Sequence, residues 1–173
     1  MELDLFTRRN LELSETMRTK EKRGTLLWVL DKTKTAMGGR LLRSWIERPL
    51  NNCAAIGRRL SAVDELKSSF VARQEISAVL SGIFDMERLM ARVVYATANG
   101  RDLRALTEAL RRLPELKKAM AGFTSPLLSQ CRDGIDEMRD LFSLLDRALA
   151  EEPPFAVREG GLIKDGYSPE VDE

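Results

Sequence analysis

Apolar side chains recur along this sequence at steps of three and four residues, the spacing that lines one face of an α-helix. After Thr35, whose hydroxyl suits a helix N-cap, Leu41, Leu42, Trp45 and Ile46 form one apolar stripe, with Arg40, Arg43 and Glu47 off it. Pro49 ends that helix, because the residue before a proline is pushed out of the α region. Gly38 and Gly39 fall in its first turn, where each costs about 1 kcal/mol against alanine, so another part of the chain is expected to approach there.

The same reading continues downstream. Asn52 is expected to cap a helix from Cys53 to about Ser68 that turns Ile56, Leu60, Val63 and Leu66 inward. Residues 70–80 carry Ile76, Val79 and Leu80 at helical spacing, and Gly82 closes them. Asp85 caps a helix with Met86, Leu89, Met90, Val93 and Val94 as its stripe. Asn99 and Asp102 resemble a capping box, after which Leu103, Leu106, Leu110 and Leu113 face inward as far as Pro114. A short helix over 114–121 ends at Gly122. Ser125-Pro126 then opens a helix in which Cys131, Ile135, Met138, Phe142, Leu145 and Leu149 alternate steps of four and three, with Gly134 as its weak point. That stretch is too short for a supercoil and predicts a packed bundle helix.

The two ends differ from this body. Residues 1–24 form an ambiguous opening segment, with Thr7 suited to cap a short helix through Leu13 and residues 18–24 reading as an exposed loop. Residues 25–30 predict one helical turn burying Leu26, Leu27 and Leu30. Over 151–167 the chain turns extended: Phe155, Val157 and Leu162-Ile163 flank Gly160-Gly161, and Asp165-Gly166 gives a second turn, so a small β-hairpin is expected. Ser168-Pro169-Glu170 is a helix start, and a single turn does not meet its nucleation cost alone. Residues 168–173 are therefore expected to begin a helix of a longer protein. The predicted fold is all-α: a multi-helical bundle over 25–150 with a small hairpin near the C-terminus.

Composition supports helix, since leucine and alanine total 42 residues while β-branched valine and isoleucine total 14. At 173 residues the chain is about one domain and needs no disulfide or metal to fill a core. It has no histidine, which removes Ser-His-Asp, Cys-His and His-zinc chemistry. Cys53 and Cys131 have no metal spacing and read as reduced core residues. No G-x-x-x-x-G-K-[ST] occurs, and Gly38-Gly39-Arg40 follows no strand, so no phosphate loop is expected. The acid pairs Asp64-Glu65 and Glu151-Glu152 are adjacent and diverge on a helix. No catalytic, cofactor-binding or metal-binding residue is assigned. Apolar runs fall far below the ~18 residues of a membrane span and nothing reads as a signal peptide, so a cytoplasmic location is expected.

Net charge is +1, yet residues 1–60 are net +6, residues 61–132 net +3 and residues 133–173 net −8. The basic third, with Arg8, Arg9, Arg40, Arg43, Arg48, Arg58 and Arg59, supports an alternative reading as a free-standing helical nucleic-acid-binding module. Acids interleave those bases, and Trp28 and Trp45 sit at apolar positions instead of alternating with the charges.

Several stretches, in order, resemble one known domain. Leu3-Asp4 with Thr7-Arg8-Arg9-Asn10-Leu11-Glu12-Leu13 opens the likeness, and Leu26 through Asp31, Thr35, Gly38, Arg40, Leu41, Leu42 and Trp45 to Leu50 extend it. Asp85-Met86-Glu87-Arg88-Leu89, Asp102-Leu103, Leu113-Pro114-Glu115-Leu116, Glu159 to Ile163, Gly166-Tyr167 and Asp172-Glu173 complete it. Together they resemble the core, or lever, domain of the MutS family of DNA mismatch-repair proteins; Ala36 departs from the proline of many relatives. The resemblance implies a non-catalytic scaffold and relay within a dimeric ATPase that clamps mismatched duplex DNA. ATP and Mg2+ would belong to other domains of such a parent, and the helix at Ser168 would be the root of a lever running toward the clamp. Arg40, as an interhelical or interdomain contact, and Trp45, as an anchor between helices, are the structural and relay candidates. Because the family core is closed by helices that return after the clamp, the Phe142/Leu145/Leu149 stripe is expected to lack partners and to invite self-association.

Overall fold

The helices begin where capping side chains place them. In the computed structural model, which describes residues 3–154 and 157–172, the order is α1 (Leu5–Asn10), α2 (Leu26–Leu30), α3 (Ala36–Glu47), α4 (Cys53–Ser68), α5 (Phe70–Ser81), α6 (Met86–Val94), α7 (Gly100–Arg111), α8 (Leu113–Ala119), α9 (Pro126–Asp133), α10 (Arg139–Ala148) and α11 (Pro169–Asp172). Thr35 Oγ1 accepts the Gly38 amide at 3.0 Å and Asn52 Oδ1 the Ala55 amide at 3.0 Å. Asn99 and Asp102 complete their capping box, at 2.9 and 3.2 Å. The first helix differs from expectation: Asp4, not Thr7, caps it, since its carboxylate accepts both the Thr7 amide and hydroxyl at 2.8 Å. That helix stops at Asn10, and Glu12 turns left-handed at φ 46°.

Packing divides these helices into two sets. One core gathers Ala62, Met120, Phe123 and Leu128, with Leu66, Ile76 and Leu116 against them, from α4, α5, α8, α9 and the loop before α9. The other gathers Leu89, Leu106 and Leu110, with Met86, Leu113, Leu141, Phe142 and Leu145, from α6, α7, the start of α8 and α10. α2 packs on α3.

Which faces are buried follows these neighbours and departs from the sequence pattern at several points. On α4 the buried residue is Ala62, while Leu60 and Val63 are about 60% exposed. On α2 only Leu27 is buried; Leu26 and Leu30 are exposed. α3 buries no residue at all, and Leu41 and Trp45 are exposed. On α6 Leu89 is covered, but Met90, Val93 and Val94 are not. Both cysteines are exposed, so neither is a core residue.

The expected single helix after Ser125 is two helices. Asp136 Oδ1 accepts the Met138 amide at 2.9 Å, Met138 is left-handed at φ 47°, and α10 restarts at Arg139. The heptad-like spacing therefore joins residues of different cores: Ile135 packs on the first, Phe142 and Leu145 on the second. The Phe142/Leu145/Leu149 stripe consequently has its partners, with Leu149 only 3% exposed. Exposed apolar side chains lie elsewhere, among them Leu60, Val63, Val94 and Tyr95.

The expected hairpin is also absent among the described residues, which hold no strand. Phe155 lies outside them. What forms is one isolated antiparallel bridge, Leu149 with Ile163, in which the Ala150 amide donates to Leu162 O at 3.0 Å and the Lys164 amide to Ala148 O at 2.9 Å. Pro153 and Pro154 have no amide to donate to a ladder, and Val157–Glu159 coil into a 3-10 turn. The returning segment closes over Gly100 instead: a Cβ there would come 2.3 Å from Leu162 Cδ1 and 2.9 Å from Pro153 Cβ. Among the described residues no helix is long and apolar enough to cross a membrane.

Candidate functional site

Arg40 stands in the second turn of α3, whose start is fixed by Thr35 and overlain by Thr33; a Cβ on Gly38 would lie 3.0 Å from Thr35 Oγ1 and 3.5 Å from Thr33 Cβ. This is the close approach anticipated from the paired glycines. The Gly38 amide is given to Thr35 Oγ1. From this position Arg40 reaches the start of α6. Its Nη1 and Nη2 donate to Asp85 Oδ2 and Oδ1, each at 2.7 Å, and Nε donates to Glu87 Oε2 at 3.1 Å. A guanidinium is planar and forked, which suits this two-oxygen grip.

Asp85 thus has two tasks. Its Oδ1 also accepts the Arg88 amide at 3.3 Å and so caps α6, while the pair with Arg40 ties α6 to α3. The Arg40 hydrogen bonds, helped by the Arg88 amide, hold the Asp85 carboxyl down at about 2. Asp31, bound by Lys22 and then Thr33, is likewise held at about 2. Both carboxylates stay ionised in the folded chain at pH values where the unfolded chain, titrating near 4, takes up protons. The unfolded state therefore binds more protons between about pH 4.5 and 2, and stability falls as pH falls through that window. Thermal melts from pH 7 to 2 are expected to be insensitive to these groups above about pH 5 and to drop below it. Asp85→Asn should make that acid limb shallower; an unchanged limb would show that the pair does not couple to folding.

Trp45 faces α4. It is 38% exposed, and the Arg59 guanidinium of α4 covers its ring at 3.5 Å from the centroid. The two candidates are not in contact: Arg40 meets α6 and Trp45 meets α4.

The other arginines of the basic third are largely engaged within the chain. Arg43 Nε donates to Glu47 at 2.8 Å, Arg8 lies 3.9 Å from the same carboxylate, and Arg58 donates to Gln130 at 2.8 Å. The cleft bordered by Arg8, Arg9 and Arg43, about 390 Å³, also carries Glu15 and Glu47, so it is of mixed sign. Among the described residues no group of three His, Cys, Asp or Glu is placed to hold a metal ion.

Three long-range contacts escaped the sequence reading. Glu65 accepts the Thr124 and Ser125 amides at 2.7 and 2.8 Å and so closes the start of α9 from 59 and 60 residues away. Asp146 accepts from both Arg104 at 3.2 Å and Arg111 at 3.0 Å, joining α7 to α10. Lys164 Nζ donates to Asp146 O at 2.7 Å. No local pattern marks such acceptors, because each partner lies far along the chain.

Residues 6–170 match a family model described as MutS domain III. Over 173 residues the chain is 50% identical to the DNA mismatch repair protein MutS of Ruminiclostridium cellulolyticum and 51% identical to that of Desulforamulus reducens. It is 46% identical over the same length to the DNA mismatch repair protein MutS of Bacillus subtilis. In each case all of this chain is aligned, but it spans only 20% of the relative.

Proposed function

The chain belongs to the MutS family, as a stretch matching its domain III, and from that footing we propose that it is a scaffold and relay portion of a DNA mismatch-repair ATPase. In this reading it connects the ATPase and connector regions of a homodimeric parent to the clamp that embraces mismatched duplex DNA. Nucleotide and Mg2+ are handled elsewhere in that parent, and this portion does no chemistry; its location is cytoplasmic. The observation that carries the reading is the domain III match over residues 6–170 of a chain that spans a fifth of its relatives. The packing is suited to the role, because two dense cores move as bodies and do not deform continuously.

The test has two arms. In one, this chain replaces the matching fifth of the Bacillus subtilis relative, in cells lacking their own copy; the mutation rate is expected to return toward that of the intact strain. In the other, the 173-residue chain alone is assayed for ATP turnover and for preference between mispaired and fully paired duplexes. Neither is expected. Turnover or mispair preference by the chain alone overturns the reading.

A further inference from the structure

The two cores define two lobes, and what spans them deepens the relay reading, on which this inference rests. The first lobe is α4, α5, α8 and α9; the second is α6, α7 and α10, joined by Leu113 at the start of α8, which packs on the second core. The chain crosses between them three times, at residues 82–85, at Arg112 and at residues 134–138. Long-range polar contacts tie each lobe internally: Glu65 on Thr124 and Ser125 in the first, Arg104 and Arg111 on Asp146 in the second. The third crossing carries the left-handed Met138, a conformation that a non-glycine residue adopts at some cost.

α3 belongs to neither core, yet it touches both lobes. Arg40 grips Asp85 and Glu87 of the second. Five residues on, about 7.5 Å along the axis and roughly 140° around it, Trp45 lies under Arg59 of the first. No residue of α3 is buried. Beside its half-buried Leu42 and Ile46, the helix meets the second lobe through a polar grip at one end and the first through a stacked cation at the other.

We infer that α3 is a releasable brace across a hinge between the two lobes. With both contacts made, the lobes hold one relative orientation; with either broken, they swing about the three crossings while each core stays intact. Neither contact lies inside a core, so each can be made and broken while both cores stay packed. Packed interiors on either side keep the motion rigid-body.

The measurement is residual dipolar coupling of the backbone amides in the 173-residue chain. In the unaltered protein one alignment tensor is expected to fit both lobes. In Arg40→Gln, and independently in Arg59→Gln, each lobe should still fit by itself while the common frame is lost. A single tensor that fits both variants overturns the brace, and so does an unaltered chain that already needs two. Poor fits inside a lobe would overturn it as well, by showing that these contacts are ordinary packing. Orientation is read in this chain alone and the relay by the chimera, so the two readings can fail separately.

Discussion

Leu110→Ala is expected to lower stability by about 3 kcal/mol, within the 2–5 kcal/mol typical of a buried leucine cut to alanine. Leu110 is 1% exposed and lies among Leu89, Leu106, Phe142 and Leu145. Its removal deletes transfer energy and leaves a void lined by side chains from three helices, which cannot all close in at once. For a chain of this length that loss corresponds to a melting point lower by about 6–12 °C. The paired control is Leu60→Ala, the same chemistry at a position 61% exposed, for which a change within about 0.5 kcal/mol is expected. Urea or thermal unfolding followed by circular dichroism separates the two. Equal losses at both sites would mean that the second core is not where the structure puts it.

That contrast also shows what could be read from the chain before its fold was known. Leu60 and Leu110 both sit at helical spacing within apolar stripes, and spacing alone sends both inward. Spacing reports which side chains share a face of their own helix; whether that face meets anything depends on a neighbour tens of residues away. Caps are different. Thr35, Asn52, Asp85 and Asn99 act on amides three residues downstream, so residue type and position are enough to find them. The break between α9 and α10 was visible only as Gly134, because the left-handed turn at Met138 rests on the side chain of Asp136 and on two cores pulling the flanking helices apart. At the candidate site the same division holds. The family likeness points to Arg40, and Asp85 reads as a cap, but nothing local pairs Arg40 with acceptors 45 and 47 residues on. Trp45 was an apolar position by pattern, and only the fold places Arg59 above it.

Phe123→Ala is the counterpart in the other lobe, with an expected loss of about 3–5 kcal/mol. Phe123 is 3% exposed, between Ala62, Met120 and Leu128, although it lies in the loop before α9. Its carbonyl accepts from Arg132 Nη1 at 3.2 Å and from Ser129 Oγ at 3.4 Å, so the loop keeps its path when the ring is gone. A loop held in place cannot collapse into the void, which puts the cost toward the upper end of that range. The more telling readout is where the loss appears. With separate cores, amide hydrogen exchange should quicken roughly a hundredfold to a thousandfold in α4, α5, α8 and α9, at about 1.4 kcal/mol per factor of ten, while α7 and α10 change far less. Leu110→Ala should give the reverse map. In the double variant the two losses should sum to within about 0.5 kcal/mol, because the substituted residues share no neighbours. If either substitution instead quickens exchange equally in all seven helices, the two cores unfold as one body and α3 has no independent lobes to brace.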